Sequence, residues 1–218
     1  MKSAMKRFVL TVLLGVVFSA GAAHAADYKS ALLKVRQSKY TEALSEFKIL
    51  AAEGHAASQF SIGLIYHLGR GVQADPETAY IWYKKAALLE YAPAMNNIGM
   101  MYLNGEYVAS NQDVAYKLFL KASASHAQAK DNLAQCYEFG WGVERNAVKA
   151  ADMYQNAGDA GYVLGWLHLA QMYETGYDDL PKDIDKAVEW HIKAAERDVS
   201  ASRTRLAELG RLPPQLAE

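Results

Sequence analysis

Two glutamates have a spacing that could support acid–base chemistry. Glu138 and Glu174 lie 36 residues apart, at equivalent positions of two neighbouring sequence repeats. Helices that pack side by side lie about 8–10 Å apart, close to the carboxyl separation of about 6.5–9.5 Å in inverting glycosidases. Solvated acidic residues are far commoner than catalytic ones. We therefore expect no catalytic residues and keep a hydrolase as the alternative.

The other reactive residue types indicate structural roles. The six histidines include no pair at the i, i+4 spacing of a helical zinc site. Four aspartates cluster within 178–185, but the central glycine of a calcium loop is absent. The single cysteine, Cys136, can form no intramolecular disulfide and is expected to be a small core residue. From the histidine and aspartate spacings we expect no metal site. The sequence also contains no G-x-S-x-G motif and no Gly-rich phosphate loop, and we expect no cofactor.

A column of polar residues favours binding over catalysis. Ser61, Asn97, Asn132 and His168 recur at one position of the repeat, where a packed core has no need of polarity. Side-chain amides present a donor and an acceptor together, which suits a peptide backbone or a sugar hydroxyl. A solvated face without a partner is the alternative. With further positions of the same stripe, the candidate ligand-binding residues are Ser61, Asn97, Asn104, Asn132, Gln135, His168 and Gln171.

These residues belong to a repeat of about 36 residues. A small residue is followed three residues later by tyrosine and three residues after that by glycine, in GLIYHLG (63–69), GMMYLNG (99–105), AQCYEFG (134–140) and AQMYETG (170–176). The signature residues are Gly63, Tyr66, Gly69, Gly99, Tyr102, Gly105, Tyr137, Gly140, Tyr173 and Gly176. A period of this size is typical of solenoids built from helix pairs.

Each repeat predicts two antiparallel helices. In the first repeat, a helix over about 56–68 buries a stripe that includes Ile62, Gly63 and Tyr66, and Gly69 ends it. The small residue lets a neighbouring helix approach closely. The second helix of each repeat follows an Asp or Asn N-cap, at Asp75, Asn111, Asn146 and Asp183. The predicted fold class is all-α, a right-handed superhelical solenoid of antiparallel helix hairpins whose first helices line a concave groove.

The N-terminus predicts export. Lys2, Lys6 and Arg7 precede an apolar run over 8–20, and 23–25 reads Ala-His-Ala, a small-x-small cleavage pattern. We expect a signal peptide at 1–25, a periplasmic or secreted protein and no membrane span after its removal; a membrane anchor is the alternative. The remaining chain has 20 basic and 24 acidic side chains. Because phosphate contacts need clustered basic residues, we expect no nucleic-acid partner.

Segment 54–90 resembles a Sel-one-like repeat (SLR), a relative of the tetratricopeptide repeat. The matching residues are Gly63, Tyr66, Gly69, Gly71, Val72, Asp75, Ala79, Trp82, Tyr83, Lys85, Ala86 and Ala87. The resemblance covers about 40–198 and recurs four times in register. Two departures are a tyrosine, Tyr107, in place of the second loop glycine, and a final loop at 177–182 that is one residue longer and could protrude.

The resemblance implies a non-enzymatic adaptor, because the signature positions of the family are structural. We expect an exported protein–protein interaction module, acting in cell-envelope assembly or host interaction, with a protein, a peptide or a cell-wall glycan in its groove. The alternative is a cell-envelope hydrolase acting on peptidoglycan or β-lactams, although its known relatives are cysteine-rich. The expected organisation is a signal peptide (1–25), a capping helix pair (26–54), four repeats (55–90, 91–125, 126–161, 162–198) and a capping helix with a tail (199–218).

Overall fold

The computed structural model describes residues 27–217, and this part of the chain is all-α. The predicted signal peptide at 1–25 lies outside the described residues. The helices are α1 (27–36), α2 (Tyr40–Ala52), α3 (Ala56–Leu68), α4 (Pro76–Leu88), α5 (Ala92–Asn104), α6 (Gln112–Ala122), α7 (Ala127–Phe139), α8 (Ala147–Asp159), α9 (Leu164–Thr175), α10 (Ile184–Ala195) and α11 (Ser200–Glu208), followed by a 3₁₀ turn at Pro214–Leu216. Within 27–217, none of the helices combines the length and the apolarity needed to cross a bilayer.

Consecutive helices pack as hairpins. The pairs are α3 with α4, α5 with α6, α7 with α8 and α9 with α10. The chain divides into two compact units, one ending at Tyr91 and the other beginning at Ala92. Within the second unit, α6 also packs on α7, α8 on α9 and α10 on α11. The all-α architecture of helix hairpins is therefore confirmed; the handedness of a superhelix stays a prediction.

Close approach of a glycine to an aromatic ring joins the two helices of a hairpin. A Cβ atom on Gly63 would lie 2.6 Å from the ring of Tyr83, and one on Gly99 would lie 2.6 Å from the ring of Phe119. Both rings are fully buried. The aromatic ring of the second helix therefore packs into the space that the glycine leaves on the first helix, as the sequence pattern predicts.

The predicted helix ends are present. The side chains of Asp75, Asn111, Asn146 and Asp183 each accept a hydrogen bond from the backbone N–H three residues later, at 2.8–3.1 Å. At the other end, Gly69 and Gly140 adopt the left-handed conformation at the C-cap of α3 and α7. Such caps satisfy backbone groups that a helix leaves without intrahelical partners.

Both departures from the repeat pattern keep the local fold. Tyr107 takes a φ of +62°, so it adopts the left-handed conformation of the glycine that it replaces. The longer loop at 177–182 folds back rather than protruding. Leu180 is buried, and the carboxylate of Asp179 accepts a hydrogen bond from the N–H of Ala147 at 2.9 Å, at the N-terminus of α8. Tyr177, the first residue of this loop, lines the site described next.

Candidate functional site

A pocket of about 510 Å³, called the main pocket below, opens in the second unit. It is lined by Gln135, Glu138, Phe139, Tyr154, His168, Gln171, Glu174, Thr175 and Tyr177. Helices α7 and α9 supply most of these residues because the repeat places equivalent positions side by side. Three of the predicted ligand-binding residues, Gln135, His168 and Gln171, therefore come together here.

A buried carboxylate orients two of these side chains. Asp131 is 1% exposed, and it accepts hydrogen bonds from Nδ1 of His168 at 2.7 Å and from Nε2 of Gln135 at 3.0 Å. The ring of His168 also meets the ring of Tyr154 edge-on, with centroids 5.2 Å apart. These contacts fix the imidazole and the amide on the wall of the pocket.

Glu138 is held in the main pocket by two tyrosines. Its side chain accepts a hydrogen bond from the hydroxyl of Tyr154 at 2.6 Å and another from the hydroxyl of Tyr177, and the residue is only 9% exposed. Burial first, and the charge of Glu138 second, raise the pKa of Tyr154 far above its usual range. Burial and the hydrogen bond to Glu138 raise the pKa of Tyr177 to about 12. Both hydroxyls therefore stay protonated donors over the range in which proteins are folded.

Glu174, the equivalent residue on α9, is held differently. Its two oxygens lie 2.9 and 3.2 Å from Nε of Arg205 on α11, and Oε1 lies 3.3 Å from Nε2 of His191. Glu174 and Gln171 also line a second cleft of about 380 Å³, together with His191, Arg205 and neighbouring residues of α11. The main pocket and this second cleft therefore adjoin through shared residues.

His191 is the buried polar residue of the second cleft. It is 1% exposed, and its Nδ1 lies 3.1 Å from the hydroxyl oxygen of Ser202. Burial lowers the pKa of His191, against the opposing effect of Glu174. Although Nε2 lies near the Glu174 carboxylate, it makes no hydrogen bond. Nδ1 of His191 is thus hydrogen-bonded to Ser202, whereas Nε2 faces the Glu174 carboxylate.

The remaining predicted ligand-binding residues lie elsewhere. Ser61 is in the first unit, where its hydroxyl donates to the carbonyl of Ala57 at 2.8 Å and lines a small apolar cavity of about 60 Å³. Half-buried Asn97 and exposed Asn104 are on α5, away from the lining of the main pocket. Asn132 is a correction: it is only 7% exposed, and its amide donates to Oδ1 of buried Asn96 at 2.7 Å. This side chain joins α5 to α7 and does not face solvent.

Sequence reasoning missed several residues that line or orient the site: Asp131, Tyr154, Tyr177 and Arg205. A signal for part of the set does exist. A residue two positions before the helix-ending glycine pairs with one fixed position of the second helix. The pairs are His67 with Tyr83, Leu103 with Phe119, Glu138 with Tyr154, and Glu174 with His191. A polar ring on the second helix is thus accompanied by a polar partner on the first, and an apolar ring by leucine.

Metal and thiol chemistry find no support in the described residues. Between 27 and 217, no group of three or more His, Cys, Asp or Glu side chains has the arrangement of a metal site. Cys136 is fully buried, and that burial raises the pKa of its thiol to about 12. Because the thiolate is the reactive form, Cys136 behaves as a core residue.

The fold is that of a repeat protein built from helix hairpins, and the first helices of its last two repeats line a polar pocket. The family of the Sel1 repeat matches residues 56–91, 92–125, 127–162 and 167–199. Because these matches cover more than half of the sequence, the chain belongs to the Sel1 repeat family.

Solved structures and curated proteins agree with this membership. The chain is similar to a Sel1 repeat protein from Oxalobacter formigenes, with 28% identity, a TM-score of 0.70 and coverage of 84% of this chain and 77% of that one. It is also similar to a protective antigen of uropathogenic Escherichia coli strains that displays an SLR fold, with 30% identity, a TM-score of 0.64 and coverage of 77% and 36%.

Among curated proteins, the chain is 24% identical to chitin synthase regulatory factor 3 of Schizosaccharomyces pombe over 177 residues. That match covers 78% of this chain and 18% of the relative. The chain spans only 18% to 32% of the length of the first curated relatives that it matches. The similarity to these curated proteins therefore covers only a part of each of them.

Proposed function

We propose that the protein is a non-enzymatic scaffold that binds an extended peptide segment of a partner protein across the first helices of its second unit. The observation that carries the proposal is the main pocket with its adjoining second cleft, where side chains able to hydrogen-bond a peptide surround an exposed aromatic ring. Phe139 is 53% exposed on the pocket wall, with its ring centroid 4.9 Å from that of Trp141. Aromatic anchors beside polar groups are typical of binding hot spots.

The repeat geometry supports an extended ligand rather than a compact one. Gln135 and Gln171 are equivalent residues of neighbouring hairpins, and both line the main pocket. A row of amides at a regular spacing matches the regular donors and acceptors of a peptide backbone. Membership of a family built from such repeats supports a scaffold role in the same way.

Site-specific photo-crosslinking tests the proposal. A photoreactive residue at Gln171, which is exposed and lines both clefts, should crosslink a discrete protein in the native organism. The matched control is the same label at Glu189, which is exposed on α10 and lines neither cleft. Once the captured protein is identified and purified, Phe139→Ala should weaken its binding about tenfold or more. Equal labelling from both positions, or none from position 171, would contradict the proposal.

We also propose that the protein is exported to the periplasm or secreted, on the strength of the basic and apolar pattern at 1–25. Expression in a Gram-negative host followed by N-terminal sequencing of the isolated protein tests this. The expected mature N-terminus is Ala26. A cytoplasmic protein that keeps residues 1–25 would contradict it.

The hydrolase alternative gains no specific support from the geometry. Both carboxylates that could act as acid and base are engaged: Glu138 by two tyrosine hydroxyls and Glu174 by Arg205. Assays on peptidoglycan and on a chromogenic β-lactam test it directly. Turnover that disappears in Glu138→Gln would favour the hydrolase over the scaffold.

A further inference from the structure

The main pocket contains a buried carboxylate without a cationic partner. Glu138 is nine-tenths buried, and its oxygens accept hydrogen bonds from two neutral tyrosine hydroxyls. Its equivalent in the next repeat, Glu174, forms an ion pair with Arg205. Glu138 has no such cationic partner. Burying a carboxylate is unfavourable unless a positive charge compensates it. Each oxygen of a carboxylate can accept more than one hydrogen bond, so Glu138 keeps capacity for a further donor.

No other lining residue supplies that charge. Lysine and arginine are absent from the lining of the main pocket. Nearby, Arg205 pairs with Glu174, and Nε of Arg145 donates to the backbone carbonyl of Glu138 at 2.9 Å. The one histidine of the lining, His168, is already bonded to Asp131. A cleft lined by charges of one sign focuses the field and concentrates ligands of the opposite sign. The pocket therefore favours a cation.

The aromatic walls favour the same class of ligand. Tyr154, Tyr177 and Phe139 line the main pocket. The ring of Tyr177 is already occupied by Arg145, whose Cζ lies 5.0 Å from the centroid, so the exposed ring of Phe139 is the one open to a ligand. Faces of aromatic rings attract guanidinium and ammonium groups. Carboxylates together with aromatic faces suit an arginine, whose planar fork can both stack and form two parallel hydrogen bonds.

The second cleft already contains the cationic partner that Glu138 lacks. Oε1 of Glu174 lies 2.9 Å from Nε of Arg205 and 3.3 Å from Nε2 of His191, whose Nδ1 is engaged with Ser202. A ring nitrogen beside a carboxylate oxygen is placed as a donor, because the carboxylate can only accept. The carboxylate that remains for a cationic ligand is therefore that of Glu138.

We propose that the main pocket binds an arginine side chain of the partner's peptide, with Glu138 as its counter-ion and the exposed ring of Phe139 as its stacking face. The neighbouring polar atoms of the peptide then extend past Glu174 into the second cleft. This inference rests on the scaffold function proposed above and names the chemistry of its ligand.

Defined peptides test the inference on the full chain. Gly-Gly-Arg-Gly-Gly is titrated into the ¹⁵N-labelled protein, alongside the same peptide with lysine, citrulline or glutamate in the central position. We expect the arginine peptide to shift amide resonances of α7, α9 and the 177–182 loop, with a dissociation constant of about 1 mM or below. Citrulline has the shape of arginine without its charge, so it should bind at least about tenfold more weakly.

Glu138→Gln keeps the size of the side chain and one acceptor oxygen, removes the charge, and places an amide donor opposite the other tyrosine hydroxyl, which can accept from it. It should weaken the arginine peptide about tenfold, whereas Glu189→Gln, which removes the same charge from an exposed site outside both clefts, should leave binding unchanged. Gln171→Lys provides a second variant that needs no change in the buried network. It places a cation at the pocket wall and should abolish binding, while Gln128→Lys, on an exposed part of α7, should not.

Several outcomes would overturn the inference. These are no binding of the arginine peptide up to roughly 10 mM, equal binding of citrulline, or unchanged binding in both pocket variants. A cell-wall disaccharide that shifts the same resonances when the arginine peptide does not would assign the pocket to a glycan. If crosslinking at position 171 captures a partner but the arginine peptide fails, only the identity of the anchor is wrong. If the crosslinking and the peptide titration both fail, the proposed scaffold function is wrong as well.

Discussion

At the scale of single residues, Asn132 and Asn96 act as one buried pair. Asn132→Ala removes the donor and leaves Oδ1 of Asn96, which is 1% exposed, without its partner. An unsatisfied buried polar atom costs about 1–3 kcal/mol, so we expect the free energy of unfolding to fall by that amount. Urea denaturation followed by circular dichroism measures it.

Asn97 is the matched control, one residue away on the same helix as Asn96. It is half-buried, and the sequence alone gives Asn97 and Asn132 the same role. Because alanine has the higher helix propensity, Asn97→Ala should change stability by less than about 0.5 kcal/mol. The double variant Asn96→Ala/Asn132→Ala should recover part of the loss, since it leaves no orphaned atom. Equal effects of Asn97→Ala and Asn132→Ala would contradict the pairing.

The sequence could predict the residues of the pocket only in part, and the reason is geometric. The polar stripe along the first helix of each repeat contains Gln135, His168 and Gln171, which line the pocket. The residue just before that stripe is Asn96 on α5 and Asp131 on α7, but apolar Phe60 and Leu167 on α3 and α9. Because this repeat position is apolar in two repeats and polar in the other two, its sequence pattern resembles that of a core position. Its hydrogen bonds depend on which neighbouring helix faces it, and a period of 36 residues does not contain that information.

At the scale of helices, the N-caps differ in their response to acid. Helices α4 and α10 begin at aspartates, and α6 and α8 at asparagines. Hydrogen bonding to the backbone N–H of Lys186 lowers the pKa of Asp183 below its ordinary value of 3.8. A lowered pKa means that the cap contributes to stability above 3.8, and that this contribution disappears as the pH falls through the lowered pKa.

Asp183→Asn should therefore remove the acid sensitivity of this cap. Asparagine caps about as well as aspartate but does not titrate. The wild type should match or exceed the variant in unfolding free energy at neutral pH, and fall below it as the pH drops below 3.8. Thermal unfolding at a series of pH values measures the difference. Asn146→Asp is the converse control and should add an acid-sensitive contribution at α8; curves for Asp183→Asn that stay parallel to the wild type would be the contrary result.

Loop glycines differ in why they are needed. Gly142 and Gly210 have nearly the same φ, +68° and +65°. A Cβ on Gly142 would lie 2.4 Å from the carbonyl oxygen of Gln112, whereas one on Gly210 would meet no atom within 4 Å. Gly210→Ala should thus cost about 1–2 kcal/mol from backbone conformation alone. Gly142→Ala should cost a further ~1–3 kcal/mol, because the loop must move away from the start of α6.

Denaturant unfolding of these two variants measures the difference directly. The comparison is matched because both substitutions place alanine at nearly the same positive φ. Tyr107 shows that a bulky residue can hold that conformation where the surroundings allow it, with a φ of +62°. Equal destabilisation by the two variants would mean that the contact with Gln112 relaxes without penalty.

The helices themselves were the most predictable feature of the chain. The caps at Asp75, Asn111, Asn146 and Asp183 and the stop at Gly69 or Gly140 follow from local chemistry, which the sequence displays directly. The 177–182 loop was not predictable, because its path is set by distant partners. Asp179 reaches the start of α8, and Tyr177 reaches Glu138 on α7. Such contacts join residues more than 30 positions apart.

At the scale of the whole molecule, the sequence predicted repeated hairpins but not the division into two compact units at Tyr91 and Ala92. Every residue of the main pocket and the second cleft belongs to the second unit. In repeat proteins, stability is close to a sum of the repeats and their nearest-neighbour contacts. The second unit has its own succession of packed helices from α5 to α11. We therefore expect the second unit to fold independently and to contain the whole candidate binding site.

We expect the fragment 92–218 to fold by itself. Its far-UV circular dichroism should show helix, and its urea unfolding should be a single cooperative transition. The shorter fragment 127–218 is the matched control. It lacks α5 and α6, which removes Asn96 from Asn132 and strips Phe119 and Ala115 from the buried cluster around Leu133 and Cys136. Its unfolding midpoint should be lower, because exposing apolar area weakens the core by about 25 cal/mol per Å². A non-cooperative fragment 92–218, or one no more stable than 127–218, would show that the second unit depends on the residues before it.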